Sequence, residues 1–242
     1  MTRLHRETVT CAYCGNEEEM TLFDLIDLEE DPDLKERILQ KDLQRFDCSN
    51  CGRYFFVANP LVYLDPEQRL VISVVPLPGA GIDDEGVESL EDFPEDQAEE
   101  LIRQMQDALP DLSEEAKTEG YRLRIVSSYN ALIEKIHVFD DGLEDAVIEV
   151  LKLALMTRSH AEDEGKVQAL FYLHTDADLL LFRSWDEAHE WDDLYIPAES
   201  YESAAELLED HLDPEGSWQI VNRERAAEYL DVVQQALFSE EG

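Results

Sequence analysis

The chain has 242 residues, 44% of them apolar, which is enough for a packed core in one large domain or two small ones. Its 58 acidic residues against 19 basic ones give a net charge of -39, a field that repels phosphate and argues against nucleic-acid binding. No segment approaches the roughly 18 to 20 continuous apolar residues of a membrane helix, and the opening "MTRLHRETVTC" lacks the apolar stretch of a secretory signal, so a cytoplasmic protein with reduced thiols and no membrane partner is expected.

In chain order, residues 18 to 28, "EEMTLFDLIDL", read as a strand. "DPDLKERILQKDL" reads as a short helix over 32 to 41, with Asp31 as N-cap, Pro32 at the first helical position, and Leu34, Ile38 and Leu39 on one face. "RYFFVA" and then "LVYLDPEQRLVISVV" read as strands, the latter folded at a turn over Asp65 to Gln68. The first 76 residues are therefore expected to be mostly antiparallel β with one inserted helix.

Charge marks a boundary after this region. Residues 1 to 78 hold 15 acids and 8 bases, whereas 79 to 120 hold 15 acids and only 2 bases, and the Gly- and acid-rich stretch at 79–93 reads as a linker. The resulting division is a ribbon-like domain at 1–78, the acidic linker, and an acidic α+β domain at 94–242. In that last part, Ala98, Leu101, Ile102, Met105 and Leu109 form a helical stripe. "YRLRIV" is a short strand, and two helices meet at Gly142, which can end the first by turning left-handed. "KVQALFYLH" and "DLLLFRSW" flank "TDA" as a hairpin, and amphipathic helices surround the short strand "SWQIV" near the end. Residues 121 to 160 carry 6 acids and 5 bases, a near balance that suits a buried segment.

All four cysteines lie in two copies of one pattern, "CAYCG" at 11 to 15 and "CSNCG" at 48 to 52. A two-residue gap lets one tight turn present both thiolates to a single ion, and the glycine after each second cysteine permits the positive φ of such a knuckle. Cys11, Cys14, Cys48 and Cys51 are thus the candidate metal ligands, and a four-sulfur shell with no open position points to a structural zinc; iron can occupy the same sulfurs. The gap of 33 residues between Cys14 and Cys48 exceeds that of compact zinc motifs, and the expected strand and helix fill the excess. Redox use of either pair is disfavoured. A reactive pair opens a helix, whereas Cys14 runs into the acids of "GNEEEM" and Cys51 into the strand "RYFFV".

The paired knuckles, the intervening "DPDLKERIL" and the following "NPLVYLDPEQRLVISVVP" resemble the CpXC domain of bacterial and archaeal proteins of unknown function. The likeness covers roughly residues 8 to 76, with a weaker continuation in "LRIVSSYNALIEKIHVFDDGLEDAVIEVLKL". It implies that the family's metal-type cysteines fall on Cys11, Cys14, Cys48 and Cys51, and it implies no particular reaction. The family's proline after the first cysteine of a pair is replaced here by Ala12 and Ser49.

Signals for catalysis are sparse. His137 lies near Asp140 and Asp141, and His174 adjoins a turn, but neither spacing is specific in so acidic a chain. "EAHEW" at 187 to 191 lacks the second histidine of a zinc-protease helix, and Trp185, Trp191 and Tyr195 suit a core or its rim. The favoured expectation is a non-catalytic zinc protein of α+β class whose acidic part engages a protein partner. The alternative is an enzyme with its site in residues 121–242 and the ribbon as scaffold.

Overall fold

The computed structural model describes residues 1–77, 93, 95–109, 119–162, 167–186 and 190–240. Strands and helices are mixed through the chain, giving an α+β protein. The described residues form two compact units: Met1–Ile133 with Glu215–Gln219, and Glu134–Pro214 with Ile220–Gly242.

The first unit is built on a six-stranded mixed sheet. Its strands are β1 (Arg3–Thr10), β2 (Glu17–Asp27), β5 (Leu61–Asp65), β6 (Leu70–Val74), β7 (Arg122–Val126) and β11 (Trp218–Gln219), in that spatial order. A separate hairpin pairs β3 (Arg45–Asp47) with β4 (Tyr54–Phe56). Every residue of β6 is buried, the pattern of a central strand covered on both faces. The turn from β5 to β6 closes where Asp65 Oδ1 accepts the Gln68 N–H at 3.2 Å, the turn read from the sequence.

Three features differ from the sequence reading. Pairing within residues 1–76 is mostly antiparallel as read, but β5 joins β2 in parallel, with Leu25 opposite Val62, and β7 and β11 extend the sheet in parallel beyond β6. The strands β1 and β3 carry too few apolar side chains to announce themselves; seven of the eight residues of β1 are not buried. The helix α1 (Asp33–Leu39) starts one residue later than expected: Pro32 occupies the N-cap, and no side chain caps it, Asp31 contributing its main-chain carbonyl to the Leu34 N–H instead. Because β7 lies beyond the acidic stretch yet pairs with β6, the compact unit runs past the boundary drawn from charge. Within the expected linker, Phe93 is described and buried; residues 79–92 lie outside the described residues. Helix α2 (Glu95–Ala108) follows, with Ala98, Leu101, Ile102 and Met105 half-buried on one face and Leu109 half-buried just beyond its end.

The second unit combines helices with a three-stranded antiparallel sheet. Helix α3 (Tyr129–Asp140) enters it and ends at Gly142, where φ is +70°, with the Leu143 N–H bonded to the Val138 carbonyl and that of Gly142 to Phe139. Helix α4 (Asp145–Glu162) follows, then β8 (Val167–Asp176), β9 (Leu179–Asp186) and β10 (Trp191–Pro197), in the spatial order β10-β9-β8. The hairpin turn falls on Ala177 and Asp178, two residues beyond the start of "TDA", and β10 is a strand that alternation did not announce. Helices α5 (Ala198–Leu208) and α6 (Arg223–Glu240) complete the unit. Val147, Val150, Leu208, Ala226 and Tyr229 form one apolar cluster, and Ile148, Leu170, Tyr172, Phe182 and Ile196 another under one face of the sheet.

Between α3 and α4 the core holds charge. Lys135 Nζ lies 2.9 Å from Asp145 Oδ2 and 3.3 Å from Glu149 Oε1, and donates to the Val221 carbonyl at 3.1 Å. Lys152 Nζ lies 2.8 Å from Glu134 and 3.1 Å from Glu149. The near balance of charge over residues 121 to 160 has its physical use here, since ions removed from water must be matched within hydrogen-bond distance.

Candidate metal centre

Each cysteine pair sits at the tip of a β-hairpin. Thr10 opposes Glu17 where β1 turns into β2, and Asp47 opposes Tyr54 where β3 turns into β4, so each tip spans six residues. The two tips repeat one backbone pattern. The Cys11 N–H donates to the Asn16 carbonyl and the Gly15 N–H to the Cys11 carbonyl; likewise Cys48 donates to Arg53 and Gly52 to Cys48. Gly15 and Gly52 have φ of +73° and +71°, and a Cβ at either would meet nothing within 4 Å. Glycine is therefore required by the backbone conformation and not by crowding.

The four Sγ atoms lie within 4.8 Å of one another. Cys11 approaches Cys51 at 3.8 Å and Cys14 approaches Cys48 at 3.6 Å, each contact joining one hairpin to the other. Both distances are far beyond a disulfide bond of about 2.05 Å, and all four cysteines are free. Four sulfurs about 2.3 Å from a tetrahedral ion stand about 3.8 Å apart, so the donor set fits a metal ion in both chemistry and spacing. Cys11 and Cys48 are each 2% exposed, on an apolar base of Val9, Phe46, Phe55 and Met20, while Cys14 and Cys51 face outward.

The surroundings treat the thiols unequally. A hydrogen bond from Asn50 Nδ2 at 3.5 Å is the largest influence on Cys14 and, with the Asn16 backbone, pulls its thiol down to about 6. At Cys48 the Cys51 backbone hydrogen bond favours the thiolate, but burial and the neighbouring thiols outweigh it and push the group up to about 11. Arg53 lies over the Tyr13 ring at 4.7 Å, and Arg45 lies over Tyr54 at 4.3 Å while pairing with Asp47.

Sequence reasoning missed Glu18, which it counted only among acids unfavourable to a thiolate. Its Oε1 accepts the Ser49 N–H at 2.9 Å, the Ser49 hydroxyl at 3.0 Å and the Asn16 amide at 2.7 Å, tying the second tip to the first hairpin. These bonds, that from the Ser49 backbone foremost, hold the Glu18 carboxyl below its usual range. Ser49 stands where the CpXC pattern has proline, and proline has no N–H to donate. The departure has a structural use.

A family model described as CpXC protein matches residues 9–152. The chain belongs to the CpXC family. The CpXC match begins just before the first knuckle, includes both, and continues through β7, α3 and part of α4, beyond the 8 to 76 over which the resemblance was strong. No curated protein and no solved structure matches the chain.

The remaining candidates do not gather at the sulfurs. His137 is half-buried on α3, and His174 is exposed on β8 opposite Leu181. Asp141 accepts the Tyr172 hydroxyl and the Thr175 N–H. Trp185 is buried, whereas Trp191 and Tyr195 are exposed on β10; His189, in "EAHEW", lies outside the described residues. Among the described residues no helix is long and apolar enough to cross a membrane.

Proposed function

We propose that this CpXC protein is a non-catalytic interaction module whose two hairpins are held together by one structural zinc ion on Cys11, Cys14, Cys48 and Cys51. The observation that carries this reading is the four-sulfur cluster, whose pairs come from separate hairpins and leave no coordination position for water or substrate. An ion there cross-links two hairpins that also meet at a small apolar base and through the Glu18–Ser49 hydrogen bonds. The reduced compartment that such thiols require is the cytoplasm. The acidic remainder of the chain meets a protein partner, and nucleic acid is repelled by the same charge.

Elemental analysis of protein purified without added metal is expected to give one zinc per chain, and Cys48→Ser is expected to lose it and to unfold mainly the two hairpins. Iron in place of zinc overturns the choice of ion. Absence of both, with four freely titrating thiols, overturns the site. A mobility-shift titration near physiological salt is expected to show no binding to duplex DNA or RNA; tight, salt-sensitive binding lost on replacing Arg6 and Arg53 by alanine overturns the partner class.

A further inference from the structure

The two edges of the three-stranded sheet are finished differently. On β8 the outward main chain is occupied: the Tyr172 N–H donates to Glu134 Oε1 at 2.7 Å and the Thr175 N–H to Asp141 Oδ2 at 2.7 Å, the carboxylates coming from α3 and from the residue just after it. That edge is closed to a further strand. On β10 the bonds to the main chain, among the described residues, come from β9 and from the carboxylate of Asp192 within the strand.

The open edge is also apolar. Of the seven large apolar side chains exposed among the described residues, four are Leu179, Trp191, Leu194 and Tyr195, on β9 and β10. Trp191 packs against Trp185 at 4.6 Å between ring centroids yet is 46% exposed, and Tyr195, opposite Leu181, is 52% exposed. Between them Asp193 is paired with Arg183 through two hydrogen bonds of 2.8 and 3.3 Å. Arg183 is the one base among residues 167 to 197, which hold seven acids.

We propose that β10 receives an extended, cationic segment of a partner protein as an added strand, its apolar residues set against Trp191 and Tyr195 and its lysines or arginines facing the surrounding carboxylates. This rests on the interaction reading above and names its partner class. Main-chain hydrogen bonds at a sheet edge supply affinity without regard to sequence, and alternate side chains supply the selection. The charge decides the occupant. With Asp193 matched by Arg183, six acids of residues 167 to 197 are left without a base from that stretch, and a second copy would bring the same excess to this edge. The same acids attract a basic strand and repel a second copy.

The test uses the full, zinc-loaded chain near physiological salt with a synthetic peptide alternating valine with arginine and lysine, and a control peptide carrying glutamate in place of the bases. Amide hydrogen exchange should slow over residues 191–197 with the cationic peptide at one peptide per chain, and should not change with the acidic one. Replacing Trp191 and Tyr195 together by serine should weaken binding about tenfold or more, the loss of roughly 1.4 kcal/mol or more of contact, in a variant whose cooperative melting shows it folded at the assay temperature. Protection that maps elsewhere, or affinity that survives the double substitution, overturns the edge assignment while leaving the interaction reading in place. A dimer in sedimentation with β10 protected before peptide is added overturns the choice of occupant. If the double variant does not fold, the exchange map of the unaltered chain decides.

Discussion

Ser49 and Glu18 are bound to each other twice, through the Ser49 N–H and its hydroxyl, across 31 residues of sequence. The pair joins the tip that carries Cys48 to the strand that follows Cys14. Ser49→Pro, which restores the residue of the CpXC pattern, removes both donors at once and should speed loss of the metal to a chelator by on the order of tenfold. Ser49→Ala keeps the N–H and should fall between the two. Equal rates for all three proteins would show that the tie does not hold the site.

Metal loading should weaken as pH falls. A metal–sulfur bond needs a thiolate, so loading displaces whatever protons the free site carries. With Cys48 pushed up to about 11 and Cys14 pulled down to about 6, a proton must leave Cys48 at neutral pH, and below about 6 one must leave Cys14 as well. The apparent affinity measured against a competing chelator should therefore drop from about pH 8 to about pH 6 and drop more steeply below it. A flat profile would contradict thiolate ligation.

Gly15→Ala and Gly52→Ala should each destabilise the hairpins by about 1 to 2 kcal/mol, the cost of a left-handed backbone at a residue with a Cβ. Space is available at both positions, so the loss comes from φ and not from a clash. Asparagine, which tolerates this conformation better, should recover part of it. Denaturant unfolding of the proteins as purified measures the difference, and alanine variants as stable as the parent would show that the backbone can relax.

Lys152→Met should cost about 3 to 5 kcal/mol, because Glu134 and Glu149 lose a buried cation. Burial already raises the Glu134 carboxyl, against the pull of Lys152, whereas at Glu149 burial is outweighed by Lys152 and Lys135 and the group is lowered. In the variant a proton can replace the missing charge on Glu134, so its folded-state pKa lies still further above the unfolded one. The deficit relative to the parent is then largest well above that folded pKa and shrinks as pH falls through it. Unfolding titrations at neutral and mildly acidic pH give the comparison; a deficit that grows in acid would show that Glu134 is not the group left bare.

Much of this was legible from local pattern. The knuckles, the turn at Asp65, the helical stripe at Ala98 to Leu109 and the left-handed Gly142 each depend on a few adjacent residues, and each lies where those residues place it. The parallel joins were not legible, since the pairing of β2 with β5 and of β6 with β7 is decided by contacts distant in sequence. Strand β10 hid because "WDDLYIP" leaves an edge in solvent and buries only Ile196. Glu18 hid because a carboxylate that ties two hairpins looks, in sequence, like any other of the 58 acids.

The sheet of the first unit is completed by β11, whose Trp218 sits opposite Leu123. On a ribosome, these partners emerge almost a hundred residues apart, and all four cysteines have been made long before either. A nascent chain can thus bring its four sulfurs together while β7 still waits for the strand that will cover its edge. Until that strand is made the flank is an unpaired template exposed to other chains, and its protection depends on how promptly the rest of the protein follows.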